Sequence, residues 1–88
     1  MSYNIEVKPN AQKQYYKLDF KIQERLKEAL RKLEAEDNPL QANNVRPLLG
    51  ELKGDYRLRV GEYRVLFTPD KNKLILYVYA ILPRGDAY

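Results

Sequence analysis

From Tyr56 to Phe67 the sequence reads Tyr-Arg-Leu-Arg-Val-Gly-Glu-Tyr-Arg-Val-Leu-Phe, two stretches of period two joined by Gly61-Glu62. Period two marks a strand with one buried face. A two-residue connection that starts with Gly suits a type II′ hairpin. Such a short loop also fixes the register, because a one-residue slip would turn every side chain to the wrong face. Val60 must face Tyr63, Arg59 must face Arg64, Leu58 must face Val65, and Arg57 must face Leu66. Tyr56, Leu58, Val60, Tyr63, Val65 and Phe67 then share one face, which reads as core. Arg57, Arg59 and Arg64 are left together on the other.

Like charges placed opposite each other on a ladder cost a few tenths to about 1 kcal/mol. Nothing in folding rewards that choice, and a bound phosphate or carboxylate would remove the cost. The plainer alternative is a set of solvated arginines, partly neutralised by Asp55 and Glu62.

The rest of the chain supplies a scaffold for this hairpin. Residues 3–8 alternate and end at Pro9, as a short first strand does. Asn10 is the expected N-cap of a short helix bearing Ala11, Tyr15 and Leu18 on one face. Asp19 is the expected cap of a second helix with Ile22, Leu26, Ala29, Leu30 and Leu33 as its apolar stripe. That helix should stop near Asp37, before Asn38-Pro39. Residues 38–55 read as a long connection pinned to the core by Leu40, Leu48, Leu49 and Leu52, and connections of this length often carry function. Leu74 to Leu82 is an almost wholly apolar strand, suited to the centre of a sheet. With a four-residue turn at Asp70 to Lys73, Leu66 and Arg64 should lie across from Tyr77 and Tyr79 respectively, and Ile75, Tyr77, Tyr79 and Ile81 should join the arginines on the open face. The expected fold is therefore α+β: two N-terminal helices packed on a small, mainly antiparallel four-stranded sheet, in the order β-α-α-β-β-β. Its 88 residues suit one domain, 1–88.

Composition narrows the chemistry. The sequence has no Cys and no His. Thiol catalysis is excluded, imidazole acid–base catalysis is excluded, and a zinc site loses its usual ligands. No cofactor or metal is expected. No apolar run approaches the roughly 20 residues of a membrane span, and no signal-peptide pattern opens the chain, so a cytoplasmic protein without membrane contact is the expectation. Sixteen Lys and Arg oppose twelve Asp and Glu. Residues 1–40 hold eight basic and seven acidic groups, whereas residues 41–88 hold eight and five. Five of the seven arginines (Arg46, Arg57, Arg59, Arg64 and Arg84) lie in the second part. Arginine is the side chain suited to forked phosphate contacts, so the bias points to a polyanion or an acidic partner. Arg46 and Lys53, in the long connection, are candidate contacts to the phosphates of such a polyanion, which position a protein without reading sequence.

The stretch Leu49-Gly-Glu-Leu-Lys-Gly-Asp-Tyr-Arg-Leu-Arg-Val-Gly-Glu-Tyr-Arg-Val-Leu-Phe67 closely resembles the central motif of the RelE/ParE toxin superfamily. The ending Pro83-Arg-Gly-Asp-Ala-Tyr88 is similar to the C-terminal Arg…Tyr signature of its RelE branch. The resemblance implies a toxin of a type II toxin–antitoxin pair. For RelE-type members it further implies an endoribonuclease that cuts mRNA in the ribosomal A site, inhibits translation and is neutralised by a RelB-like antitoxin. It carries the catalytic set onto Arg57 and Arg59 of the first hairpin strand, Arg64 of the second, Arg84 after the last strand, and Tyr88. In some members both first-strand positions are lysine. Arginine, unlike lysine, does not give up its proton, so a general-base role at Arg57 or Arg59 is not expected. Tyr88 is left as proton donor or acceptor, with a phenol that would need lowering from about 10 by nearby arginines, or as a base-stacking platform. The alternatives are a ParE-like toxin that inhibits DNA gyrase by protein binding, and a weak toxin acting mainly as co-repressor, on operator DNA, together with its antitoxin.

Overall fold

The second helix is the simplest element to build from its residues. In the computed structural model, which describes residues 2–86, it runs Phe20–Ala35 (α2). Its N-cap is Asp19, whose Oδ1 accepts a hydrogen bond from the Ile22 amide at 3.2 Å. Leu26 and Leu33 are buried, and Ile22, Ala29 and Leu30 pack around them. On the solvent side Glu28 pairs with Arg31 at 2.9 Å rather than with Lys32 one position on. A first strand, Asn4–Val7 (β1), and a first helix, Pro9–Tyr16 (α1), precede it. The cap of α1 differs from expectation. Pro9 occupies the first helical turn, where its missing N–H costs nothing, and Lys8 is the N-cap. Asn10 instead donates from Nδ2 to the Tyr79 carbonyl at 3.0 Å, tying α1 to the sheet.

The remaining strands are Val45–Pro47 (β2), Tyr56–Val60 (β3), Tyr63–Asp70 (β4) and Ile75–Pro83 (β5). They form one five-stranded sheet in the order β1-β5-β4-β3-β2. β1 runs parallel to β5, and every other pair is antiparallel. The expected four strands become five because β2 lies inside the connection 38–55. A Val-Arg-Pro strand has no alternation to read, and its existence depends on the pairing Val45↔Leu58, Arg46↔Arg57 and Pro47↔Tyr56. The same connection also holds two 3-10 turns, Pro39–Gln41 and Gly50–Leu52.

The β3–β4 register is Val60↔Tyr63, Arg59↔Arg64, Leu58↔Val65 and Arg57↔Leu66, as the two-residue loop demands. Gly61 takes φ +57°, which a side chain would resist. The helices cover the face bearing Leu58, Val65, Phe67, Leu76, Val78 and Ile81. Phe67 stacks on Tyr56 with ring centroids 5.9 Å apart.

The opposite face is less open than the alternation implies. Leu48, Leu66 and Ala80 form a second small cluster, with Leu52, Tyr79 and Leu82 packed against it. The connection thus folds back over part of the sheet. Leu49, expected to pin it, is 84% exposed instead.

The β4–β5 pairing also departs from expectation. Arg64 lies opposite Leu82, Leu66 opposite Ala80, and Thr68 opposite Tyr77. Two local causes account for this. The Asp70 carboxylate accepts hydrogen bonds from the Asn72 and Lys73 amides, both at 3.0 Å, so the turn begins one residue later. The register then slips between Leu66 and Phe67, because Tyr79 is an extra residue on β5. Beyond that slip Ile81 faces the core and not the arginines. Among the described residues no helix is long and apolar enough to cross a membrane.

Candidate functional site

Arg57 and Arg59 come from β3, Arg64 from β4, and Arg84 from the 3-10 turn Arg84–Asp86 that follows β5. The ladder places Arg59 opposite Arg64, and β2 brings Arg46 opposite Arg57. Arg84 is held beside the hairpin tip by its amide, which donates to the Glu62 carbonyl at 2.7 Å.

Arg64 is the centre of the group. It is 8% exposed, the one charged residue among the buried described residues. Its Nη1 donates to the carbonyls of Gly61 at 3.1 Å and Tyr63 at 3.0 Å. These bonds fix one edge of the guanidinium against its own hairpin turn. Burial, above all, pushes Arg64 below its ordinary pKa; the charges of Arg59, Arg57 and Arg84 push it further, and Glu62 opposes them. The direction records an excess of positive charge around a desolvated cation. The negative charge of a bound anion would oppose that excess and stabilise the buried cation.

Arg57 Nη1 is buried without a hydrogen-bond partner. Leaving such a donor unmet costs about 1–3 kcal/mol, and more when it is charged. Arg57, Arg59 and Arg46 line a cleft of about 200 Å³ together with Asn43 and Asn44. Arg46 is braced there by Nη1 bonds to the carbonyls of Asn43 and Val45, both at 2.9 Å. The arrangement can clamp phosphate oxygens from several sides; arginines alone cannot move a proton at neutral pH.

Of the residues expected from sequence, Arg57, Arg59, Arg64 and Arg84 come together, and Arg46 joins them. Lys53 is exposed at the end of the 3-10 turn Gly50–Leu52, with its amide on the Gly50 carbonyl, and is not one of the charges acting on Arg64. Tyr88 lies outside the described residues. Asn43 and Asn44 went unnoticed because a cleft wall in a loop leaves no periodic trace. Asp55 was legible only as a neutralising charge. It accepts hydrogen bonds from Thr68 Oγ1 at 2.9 Å and from Tyr79 Oη at 2.7 Å. Its phase, two residues before Arg57, was the available signal.

Comparison with known proteins gives the same direction. The family described as the ParE toxin of type II toxin–antitoxin system, parDE, matches residues 5–88. A search of curated protein sequences finds no match. Among solved structures, the chain is similar to the archaeal RelE–RelB complex from Pyrococcus horikoshii OT3, with 28% identity, 99% of this chain and 100% of that chain covered, and a TM-score of 0.78. It is also similar to the toxin–antitoxin complex RelBE2 from Mycobacterium tuberculosis, with 28% identity, 98% and 95% covered, and a TM-score of 0.83. A mutant E. coli RelE toxin in the free state shares 25% identity over 94% of this chain and 84% of that one, with a TM-score of 0.73. With the two helices, the sheet and the whole length in common, the chain belongs to the ParE toxin family of type II toxin–antitoxin systems, within the RelE/ParE toxin superfamily.

Proposed function

We propose that this toxin is a metal-independent endoribonuclease that cuts mRNA in the ribosomal A site and is neutralised by a RelB-like antitoxin. The observation that carries the reading is the crowding of Arg59, Arg57 and Arg84 around the buried Arg64, a charge excess that an RNA phosphate would relieve.

Cleavage by internal transfer needs an activated 2′-OH, a stabilised pentacoordinate phosphate and a protonated 5′-oxygen. Arg57, Arg59, Arg64 and Arg84 bind the phosphate oxygens and the charge that develops on them. Arg46 and Lys53 hold neighbouring backbone. Proton transfer falls to Tyr88, which otherwise stacks on a base. A site so poor in acid–base groups is slow on free RNA, and the ribosome supplies the orientation of the message. The antitoxin covers the arginines with acidic side chains. Operator DNA is bound only by the toxin–antitoxin complex, and the site of action is the cytoplasm.

The test is primer-extension mapping of mRNA after expression of the toxin. Cleavage within A-site codons is expected, with Arg64→Ala and Tyr88→Ala each lowering its rate about 10²–10³-fold. Wild-type cleavage by both variants would remove the site assignment. The family match favours one other reading, inhibition of DNA gyrase by protein binding. Loss of supercoiling activity with intact mRNA would select it.

A further inference from the structure

Asp55 continues the β3 register below Tyr56. Its carbonyl accepts from the Leu48 amide at 2.9 Å, and its side chain meets Thr68 on β4. It therefore shares a face with Arg57, two residues on and about 7 Å away along the strand. A carboxylate and a guanidinium at that spacing on one sheet face are natural fork-to-fork partners. Yet among the described residues no ion pair joins them; the pairs present are Lys8–Glu6 and Arg31–Glu28. Arg57 Nη1 is instead buried with no acceptor.

Both Asp55 oxygens are occupied by neutral donors. Oδ1 accepts from Thr68 Oγ1 at 2.9 Å, and Oδ2 from Tyr79 Oη at 2.7 Å. Tyr79 reaches this carboxylate from β5, two strands away, and it is the extra residue of the register slip. Its ring packs against Leu48, Leu66 and Ala80. Phenylalanine would fill that space equally well, so packing does not account for the hydroxyl. Bulges re-aim side chains beside functional sites, and this one aims a donor at the carboxylate two residues before Arg57.

We infer that Tyr79 and Thr68 hold the Asp55 carboxylate away from Arg57, and so keep that guanidinium available to an external phosphate. They are positioning residues: neither touches the nucleic acid. The availability of Arg57 is a property of the free protein, and only its consequence for RNA rests on the function proposed above.

The experiment uses the full chain and two readouts. Solvent exchange of the Arg57 Nε–H, followed by NMR, reports whether Arg57 is paired. Binding of a 2′-O-methyl oligonucleotide, which cannot be cleaved, reports phosphate capture. Tyr79→Phe keeps the ring and frees Oδ2. It should slow Arg57 exchange, weaken oligonucleotide binding about tenfold and lower the slope of log K against log salt by about 0.7, one phosphate contact. Asp55→Asn added to Tyr79→Phe should restore both readouts, a rescue that a merely structural tyrosine would not give. Thr68→Ala, at an exposed position, should act in the same direction with smaller amplitude. Unchanged Arg57 exchange in Tyr79→Phe, or no rescue by Asp55→Asn, overturns the inference. Slowed exchange with rescue, in a protein that binds no oligonucleotide at all, upholds it and removes the RNA reading instead.

Discussion

Arg59 and Arg64 stand directly opposite each other across the β3–β4 ladder, with Arg64 buried and Arg59 exposed. The pair opposes folding on one rung of the hairpin. Arg59→Thr removes the repulsion and adds a residue that favours strands. It should stabilise the protein by a few tenths to about 1 kcal/mol in urea unfolding, while A-site cleavage falls about 10²–10³-fold. A variant both less stable and less active would show that Arg59 serves the fold.

The same crowding makes stability respond to anions. Inorganic phosphate should raise the unfolding midpoint more than sodium chloride of equal ionic strength, because a specific ligand adds RT ln(1 + [L]/Kd), about 2.7 kcal/mol at 100 times Kd. The excess should vanish in Arg57→Ala/Arg59→Ala. Equal shifts with both salts would reduce the effect to screening.

Gly61 is fixed from two sides. Its carbonyl accepts from Arg64, and a Cβ built on it would lie 2.8 Å from Arg25 Nη2. At φ +57°, Gly61→Ala should cost about 1–2 kcal/mol. Adding Arg25→Ala should return only the part owed to the clash. Thermal unfolding of the single and double variants measures both parts.

Alkaline stability should depend on Tyr15. Burial first, and then Glu24 and Tyr16, raise its phenol above the ordinary value of 10. The unfolded chain then loses the Tyr15 proton before the folded protein does. The contribution is complete below pH 10 and falls as pH rises through the folded value. Tyr15→Phe should flatten that decline, at the cost of the 3.3 Å bond from Tyr15 Oη to the Gln23 carbonyl. Urea midpoints between pH 8 and 11 test the sign.

Much of the scaffold was legible because it obeys local rules. Asp19 caps α2, and the Leu26–Leu33 stripe is buried, because helix period and capping act within a few residues. The hairpin register could be read for the same reason: two loop residues determine it. Strand β2 could not, since Val45 to Pro47 become a strand only by lying against β3. The β4–β5 register was missed because an Asx turn and one extra residue override simple counting. Within the site, the β3 and β4 arginines followed from the alternation, and Arg84 from its place in a motif. The service of Tyr79 to Asp55 joins residues 24 apart in sequence, and no window along the chain contains that contact.

The slip at Tyr79 also sets how this strand tolerates insertions and deletions. Before it, Leu76 and Val78 point into the core, and after it Ile81 does, so the even-numbered inward phase gives way to an odd one. Deleting Tyr79 would leave a strand of plain alternation, with Val78 and Ile81 still inward and Ala80 and Leu82 still on the other face. The irregular spelling of β5 is thus not what fills the core; the tidier version would keep Leu76, Val78 and Ile81 in place and give up the far end of the Asp55 contact.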